Sequence, residues 1–263
     1  MRKYWYIFKS ELMSSFQYVF NMFSRIISYI FMMYIFMNLW QYIYEDPEQL
    51  INNYSVNQMI WYVIITELIY FSTKGRAFCR KIINDVKGGN IIYNINKPYN
   101  YINYLLFSHL GEMSLTFLIY GVVGLGIGFI FLGDFSNLTI LSFLSVFITS
   151  IFAIIISSLF VIFIGLFSFI IEDSSPFFWL YSKLLLIFGT LFPIEFFPKK
   201  IQFLLNYSPV YVTSYGPAKL FVDFSINEFV KIIFSQFIYI LIAYLMCNFV
   251  YRKGVKRLNV NGG

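Results

Sequence analysis

Long apolar stretches separated by short polar segments form the dominant pattern along this chain of 263 residues. An apolar helix of about 20 residues is long enough to cross the hydrocarbon core of a bilayer. The pattern therefore predicts an all-α polytopic membrane protein with six transmembrane helices. Their predicted ranges are residues 16–40, 56–73, 104–132, 138–171, 177–192 and 229–251.

Two of these stretches need an argument of their own. Residues 138–171 contain no charged side chain, and the single Gly165 is a weak turn signal. Because two spans with a turn would need at least about 40 residues, we interpret this stretch as one long, tilted span. The segment 193–228 is apolar but is broken by Pro193, Pro198, Pro209 and Pro217. It predicts short re-entrant or interfacial helices, between the fifth and sixth spans, that pack against protein.

The first residues of the chain have a different pattern. Residues 1–15 place apolar side chains at helical spacing, with charged residues between them; the apolar positions are Tyr4, Ile7, Phe8 and Leu12. This pattern is typical of an amphipathic helix in the membrane interface, and the alternative is the start of a longer first span. No small-residue cleavage site follows, so we do not expect a signal peptide.

The distribution of basic residues predicts the topology. Lys and Arg concentrate before the first span, in residues 74–103 and after the last span, whereas residues 41–55 and 133–137 contain none. The positive-inside rule then places both termini in the cytoplasm and requires an even number of spans. The outer segment is an exception, because it carries Lys199, Lys200 and Lys219.

This topology describes residues 1–263 as a single transmembrane domain. Residues 1–15 are its interfacial helix, residues 74–103 its cytoplasmic loop, and residues 193–228 its extracellular re-entrant region. We expect a multi-pass protein of the cell membrane.

Composition supports this class and excludes several others. Hydrophobic residues make up 59% of the chain and charged residues 12%, with a mean hydropathy of +0.70. Soluble domains contain about 45–50% apolar and about 25% charged residues, so a soluble enzyme is excluded. The 22% of aromatic residues indicates a compositional bias of the genome more than a binding site.

Few residues could support catalysis or bind a cofactor. The chain has one histidine, His109, two separated cysteines, Cys79 and Cys247, and no phosphate-binding loop of the type G-x-x-x-x-G-K-[ST]. We therefore predict no catalytic residues, no metal site, no cofactor bound by this chain and no nucleic-acid partner. Three glycines within one predicted span indicate a face that packs closely on another helix; they are Gly121, Gly124 and Gly128. Gly124 and Gly128 form a GxxxG pair.

A few polar residues are predicted at membrane depth, at Glu67, His109, Glu112 and Lys183. Such groups are costly in a bilayer and usually face protein or water. Glu67 and Glu112 are candidates for a substrate path, but we favour interhelical ties because all four lie toward the ends of spans. His109 and Glu112 are three residues apart and could bond to each other.

The cytoplasmic segment 80–98 has the pattern of a surface that binds another molecule. Three apolar residues, Ile82, Ile83 and Val86, share one face of a short predicted helix. Charged residues flank this face; they are Arg80, Lys81 and Asp85. Gly88 and Gly89 can end this helix, and a second apolar cluster of Ile91, Ile92 and Ile95 follows. An apolar patch rimmed by charge is typical of a protein-binding surface. The alternative is a basic amphipathic helix on the membrane surface.

Three stretches resemble one known family. Gly89-x-Ile91 followed by Ile95-x-Lys97-Pro98 is similar to the cytoplasmic loop of the ABC-2 family of ABC transporter permeases, in particular its six-span exporter subunits. The segment from Gly189 through Pro193, Pro198 and Pro209 to Pro217 resembles the fifth-span exit and outer region of that branch. Residues 251–257 and 261–263 resemble its closing motif.

Two positions depart from the family pattern. Lys97 stands where Arg is more usual, and Ser208-Pro209-Val210 replaces a more common Leu-Pro-Phe. These departures do not affect the expected fold, but they leave the substrate class open.

The resemblance implies a permease that moves a substrate outward with energy from a separate ATPase dimer, which binds ATP and Mg. The chain itself would not be an enzyme. The cytoplasmic loop would supply a coupling helix on the ATPase, with Ile82, Ile83 and Val86 as apolar anchors. The carried-over positions are Arg80, Lys81, Ile82, Ile83, Asp85, Val86, Gly89, Ile91, Lys97 and Pro98.

The resemblance also implies a second permease subunit, identical or related, a helix at the N-terminus that lies against the ATPase, and a bacterial plasma membrane. An apolar, aromatic path would suit an amphiphile such as a peptide, lipid or drug. Phe192, Phe196 and Phe197 are candidates for its outer gate.

Two other classes remain as alternatives. A self-contained secondary transporter or channel would place ionisable groups or broken helices near the midplane, where this chain is almost uncharged. A lipid-modifying enzyme would need clustered carboxylates or histidines, but the adjacent pair Glu172 and Asp173 lies in a predicted turn.

Overall fold

A computed structural model describes residues 2–17, 19–44, 46, 49–133 and 139–261. Over these residues the chain is helical, with one isolated β-bridge between Ile51 and Tyr54, so the predicted all-α fold is confirmed. Residues 134–137 of the predicted turn lie outside the described residues, as do Glu45, Glu48 and the two final glycines.

Twelve α-helices follow one another along the described residues. They are α1 (Arg2–Gln17), α2 (Val19–Ile43), α3 (Val56–Ser72), α4 (Gly75–Lys87), α5 (Ile91–Ile95), α6 (Tyr101–Leu132), α7 (Ile140–Leu166), α8 (Ser168–Ile171), α9 (Ser175–Leu185), α10 (Lys199–Asn206), α11 (Gly216–Val222) and α12 (Ile226–Asn261). Two π-helical segments, Leu186–Leu191 and Tyr211–Tyr215, and a 3₁₀ turn at Ile194–Phe196 complete the order.

Four helical segments of the described residues are long and apolar enough to cross a membrane: Met22–Ile43, Tyr101–Leu132, Ile140–Ile171 and Ile226–Lys256. The chain is therefore a multi-pass membrane protein. The predicted second and fifth spans are occupied by two shorter helices, α3 with 17 residues and the apolar segment Ser175–Leu191.

Capping residues explain where the long helices begin. Ser55 and Gln58 form a reciprocal capping box at the start of α3, and Thr139 and Ser142 form one at the start of α7. Asn100 accepts a hydrogen bond from the Asn103 backbone, so α6 starts earlier than the apolar pattern predicts.

The uncharged stretch that we interpret as one span is one long helix, α7, followed without a connecting loop by the short α8. The helical path ends at Glu172, whose positive φ of 61° no longer fits a right-handed helix.

Helix α3 lies at the centre of the molecule. Its residues from Met59 to Ile69 are all buried, and it packs against α2, α6 and α11. The short helix α11 is enclosed between α3 and α7, with Ala218, Leu220 and Val222 fully buried. The segment 193–228 thus contains short helices, of which α11 is packed on protein while α10 exposes Phe203 and Leu204.

Helix α1 packs along the first half of α6. The Phe8 carbonyl lies so close to Gly111 that a Cβ at this position would collide with it. Ser108 donates a hydrogen bond to Glu11 over 2.8 Å. The outer face of α1 exposes Trp5 and Met13 beside Lys9, a mixture that suits a membrane interface.

Candidate functional site

The loop between α3 and α6 contains the residues expected to contact a partner. Helix α3 ends at Ser72, and Lys74, the residue before α4, adopts the left-handed conformation with φ 41°, which lets α4 leave in a new direction. Helix α4 is amphipathic, and its apolar face is turned inward. Ile82, Ile83 and Val86 are all buried there.

This burial corrects the expectation that Ile82, Ile83 and Val86 anchor a partner. Helix α7 of the same chain covers them, and Gly165 of α7 allows the close approach: a Cβ there would lie 2.9 Å from Ile82 Cβ. The apolar patch predicted from their spacing is therefore part of the core. The sequence showed an amphipathic helix but not which molecule covers its apolar face.

The opposite face of α4 is polar and exposed. It presents Arg80, Lys81 and Lys87 to solvent, while Asp85 is half-buried. Burial raises the pKa of Asp85 above its usual value; Lys81 and the hydroxyl of Tyr101, which donates to the carboxylate over 3.4 Å, act in the other direction.

Helix α5 supplies the exposed apolar groups of this loop. Gly89 has φ +72°, which favours glycine and turns the chain between α4 and α5. Ile91 is buried, whereas Ile92 is 53% exposed and Tyr93 is 74% exposed. We call Arg80, Lys81, Lys87, Ile92 and Tyr93 the loop surface.

The end of this loop is held by α1. Lys97 and Pro98 are both exposed. The carbonyl of Pro98 accepts a hydrogen bond from Lys3 Nζ over 2.6 Å, and the Asn100 amide donates to the Tyr4 hydroxyl over 3.0 Å. The N-terminal helix and the cytoplasmic loop are thus one connected structural unit.

His109 and Glu112 do not bond to each other, in contrast to the prediction from their spacing. Glu112 pairs with Lys74 over 3.0 Å. His109 donates from Nε2 to the Thr73 carbonyl over 2.8 Å, and its Nδ1 lies 3.0 Å from Ser158 Oγ. The Phe78 ring stacks on the imidazole at a centroid distance of 3.7 Å. These contacts join α3, α4, α6 and α7 and act as interhelical ties.

Glu67 has a different environment. It is fully buried in α3, and neither carboxylate oxygen has a hydrogen-bond partner among the described residues. The buried hydroxyls of Tyr29 and Tyr120 also lack partners there, and their rings pack at 5.0 Å. An unpaired carboxyl at this depth is costly.

Phe192, Phe196 and Phe197 form an aromatic cluster rather than an open row of side chains. Phe192 and Phe196 each contact Trp40 edge-on at 5.7 Å, and Phe197 packs against Phe192 at 6.1 Å. All three are partly buried. The cluster connects the end of α2 to the segment that follows the fifth apolar helix.

Beside this cluster lies an ionic network that the sequence reasoning missed. Lys219 contacts Asp223 at 2.7 Å and Glu195 at 3.5 Å, and it donates to the Tyr54 hydroxyl over 3.0 Å. Tyr54 and Tyr215 both donate to the same Glu195 oxygen. Only the spacing of Lys219 and Asp223, four residues apart at the end of α11, was a signal in the sequence.

The glycine face of α6 packs on α2 and α3. A Cβ at Gly124 would collide with the Tyr29 hydroxyl, and a Cβ at Gly128 would collide with the Trp61 ring. Gly121 is less tight, since its nearest neighbour is Leu68 Cδ1 at 3.7 Å. The first two glycines therefore set the distance between these helices.

Comparison with known proteins adds the family. No curated protein matches the chain significantly. Residues 26–262 match the family model described as ABC-2 family transporter protein, and this range contains the long apolar helices, apart from the start of α2, and the loop surface. This chain therefore belongs to the ABC-2 family, whose members form the membrane-spanning part of ABC-type transporters.

Proposed function

We propose that this chain is the permease subunit of an ATP-driven ABC exporter that moves an amphiphilic substrate outward. The family match over residues 26–262 carries this proposal. A dimer of separate ATPases would bind ATP and Mg, and the chain would have no enzymatic activity alone. Because ABC-2 permeases work with an ABC ATPase, the question is where this chain contacts it.

The loop surface is the best candidate for that contact. It combines three exposed cations with the exposed apolar side chains of Ile92 and Tyr93. Aromatic and apolar anchors surrounded by charge are typical of binding hot spots. The buried face of α4 packs on α7. A movement of a partner bound to the loop surface would therefore be transmitted directly to the long apolar helices.

The proposed topology has six spans, with α3 and Ser175–Leu191 as the second and fifth, and both termini and the loop surface in the cytoplasm. A helix of 17 residues is about 25 Å long at 1.5 Å per residue, which approaches the thickness of the hydrocarbon core. The buried helix α11 supports a re-entrant outer region, since non-helical backbone at membrane depth must be enclosed by protein.

The proposed location is a bacterial plasma membrane. The experiment is purification of the tagged chain from its native membrane in mild detergent, followed by identification of the proteins that accompany it. Recovery of an ATPase with a phosphate-binding loop is the expected result. A second, related permease in equal amount would indicate a heterodimer, and its absence from the ATPase complex a homodimer. An intact chain recovered without an ATPase, under conditions that preserve other membrane complexes, would contradict the proposal.

The second candidate is a self-contained secondary transporter or channel. Buried Glu67 favours it, because proton-coupled carriers use such carboxyl groups within the membrane. Transport by the reconstituted chain alone, without ATP, would support this candidate.

A further inference from the structure

A cleft of about 520 Å³ opens between α2 and α9, where α3 ends and α4 begins. Among the residues that the structure describes, five basic ones line it and no acidic one does; the basic residues are Arg25, Lys74, Arg76, Arg80 and Lys183. We call it the basic cleft. Its size lies within the range of about 300–1,000 Å³ that is usual for small-molecule sites.

Most of this positive charge is not neutralised by the protein. Lys74 pairs with Glu112 over 3.0 Å, but Arg25, Arg76, Arg80 and Lys183 form no ion pair with any residue that the structure describes. Like charges gathered around one cavity destabilise each other. A bound anion would relieve this repulsion and accept hydrogen bonds from the guanidinium groups.

The depth of the cleft indicates where such an anion comes from. Arg25 lies six residues into α2, which places it roughly 9 Å from the first residue of the helix at 1.5 Å per residue. Lys183 lies eight residues into α9, roughly 12 Å from its first residue at 1.5 Å per residue. In the proposed topology these positions are near the cytoplasmic boundary of the bilayer, where lipid phosphates lie.

The surroundings of the cleft are apolar. Phe71 and Phe178 contribute to its walls. On the two flanking helices, Ile27 of α2 is 54% exposed and Leu180 of α9 is 51% exposed. A ligand held by its charged head in the basic cleft could therefore lay hydrocarbon chains along these helices.

We propose that the basic cleft binds the phosphate head of an anionic amphiphile from the inner leaflet, with an anionic phospholipid as the representative ligand. This inference rests on the proposed function for the side of the membrane and for its consequence, that the exported substrate carries an anionic head. The binding itself requires no ATPase, so it can be tested on the full-length chain alone.

The experiment is a titration of the purified chain in neutral detergent with dioleoylphosphatidylglycerol or dioleoylphosphatidylcholine, measured by native mass spectrometry. The chain should prefer phosphatidylglycerol. The double variant Arg25→Gln, Lys183→Gln should lower the affinity for phosphatidylglycerol by about tenfold or more, since each basic side chain near an anionic lipid surface contributes about fivefold. Lys199→Gln, Lys200→Gln removes the same charge from exposed positions of α10 and should change little.

Two further outcomes separate the sources of the anion. If millimolar inorganic phosphate displaces the lipid from the chain, the anion site stands but its occupant is a soluble phosphate compound. If phosphate does not compete, the lipid is the ligand. Equal binding of both lipids, or equal loss in the two double variants, would overturn the proposal, whether or not an ATPase accompanies the chain.

Discussion

Gly128 is the point where the side chain of Trp61 on α3 presses against the backbone of α6. A Cβ at position 128 would overlap the indole ring, whereas a Cβ at Gly126 would have no atom within 4 Å. We expect Gly128→Ala to lower the free energy of unfolding by about 1–3 kcal/mol through overpacking. The matched Gly126→Ala should raise it by about 0.5–1 kcal/mol, because alanine favours a helix.

Thermal unfolding of the purified variants in one detergent tests this pair. The sequence placed Gly128, but not Gly126, on the predicted glycine packing face, and it did not show that Trp61 is the neighbour that separates these two positions. They are two residues apart and so lie on different sides of α6. Equal midpoints for the two variants would contradict the packing seen here.

Glu67 and Glu112 were both predicted at membrane depth, but their surroundings in the structure differ. Glu67 has no partner in the described part of the chain, whereas Glu112 holds Lys74, whose side chain is only 9% exposed. Glu67→Leu should therefore raise stability by about 1–3 kcal/mol, since an unsatisfied buried group is removed. Glu112→Leu should lower stability, since it leaves a buried cation unpaired.

Thermal midpoints and export, measured on the same two variants, check this contrast. A stabilised Glu67→Leu variant that no longer exports would identify Glu67 as part of the substrate path. A lower midpoint for Glu67→Leu would show that its carboxyl is stabilised after all.

At the scale of elements, the two π-helical segments depend on side chains from other helices. The wider turns leave carbonyl groups without regular helical partners, and these must be satisfied within the membrane. Tyr62 donates to the Gly189 carbonyl over 2.8 Å, and Gln236 donates to the Val212 carbonyl over 2.9 Å. Each donor is buried, so each bond fixes a segment that lacks helical regularity.

Tyr62→Phe should consequently cost about 1–3 kcal/mol, because it leaves the Gly189 carbonyl buried and unpaired. The matched control is Tyr70→Phe on the same helix. Because Tyr70 is 37% exposed, this change should leave the free energy of unfolding nearly unchanged. Proteolysis or hydrogen exchange of residues 186–191 should increase in the first variant alone. Identical protection in both variants would contradict this role for Tyr62.

The positions of the helices could be predicted from the sequence, but the irregular segments and side-chain contacts within them could not. The prolines at 193 and 209 marked the broken region, and the uncharged stretch 138–171 marked a single span. The π segments could not be foreseen, because their stability comes from Tyr62 and Gln236, which are distant in the sequence. The same holds for the Glu195–Lys219 network, which also joins distant segments.

At the scale of the whole molecule, the apolar face of α4 is buried, so a partner contact must be tested on the exposed loop surface. Ile83 is 3% exposed, so Ile83→Asp places a charge in the core and should destabilise the whole chain. Ile92→Asp should keep the thermal midpoint and weaken ATPase recovery, because only the loop surface changes. Leu204→Asp, at a 67% exposed position of α10, should affect neither property.

Quantitative recovery of the ATPase with Ile92→Asp at an unchanged midpoint would remove Ile92 from the contact. The sequence predicted a short amphipathic helix from about Arg80 to Gly88, whereas the helix in the structure, α4, begins earlier, at Gly75. The sequence could not show that α7 covers the apolar face of this helix while Ile92 and Tyr93 remain exposed.

The most direct test of the central claim is a photo-cross-link from the loop surface in native membranes. Benzoylphenylalanine would replace Tyr93, which is 74% exposed, or Tyr207, which is 73% exposed and lies in the proposed outer region. We predict a cross-link to an ATPase from position 93, altered by ATP, and none from position 207. A cross-link to the ATPase from position 207, or none from position 93 in an assembled complex, would contradict it.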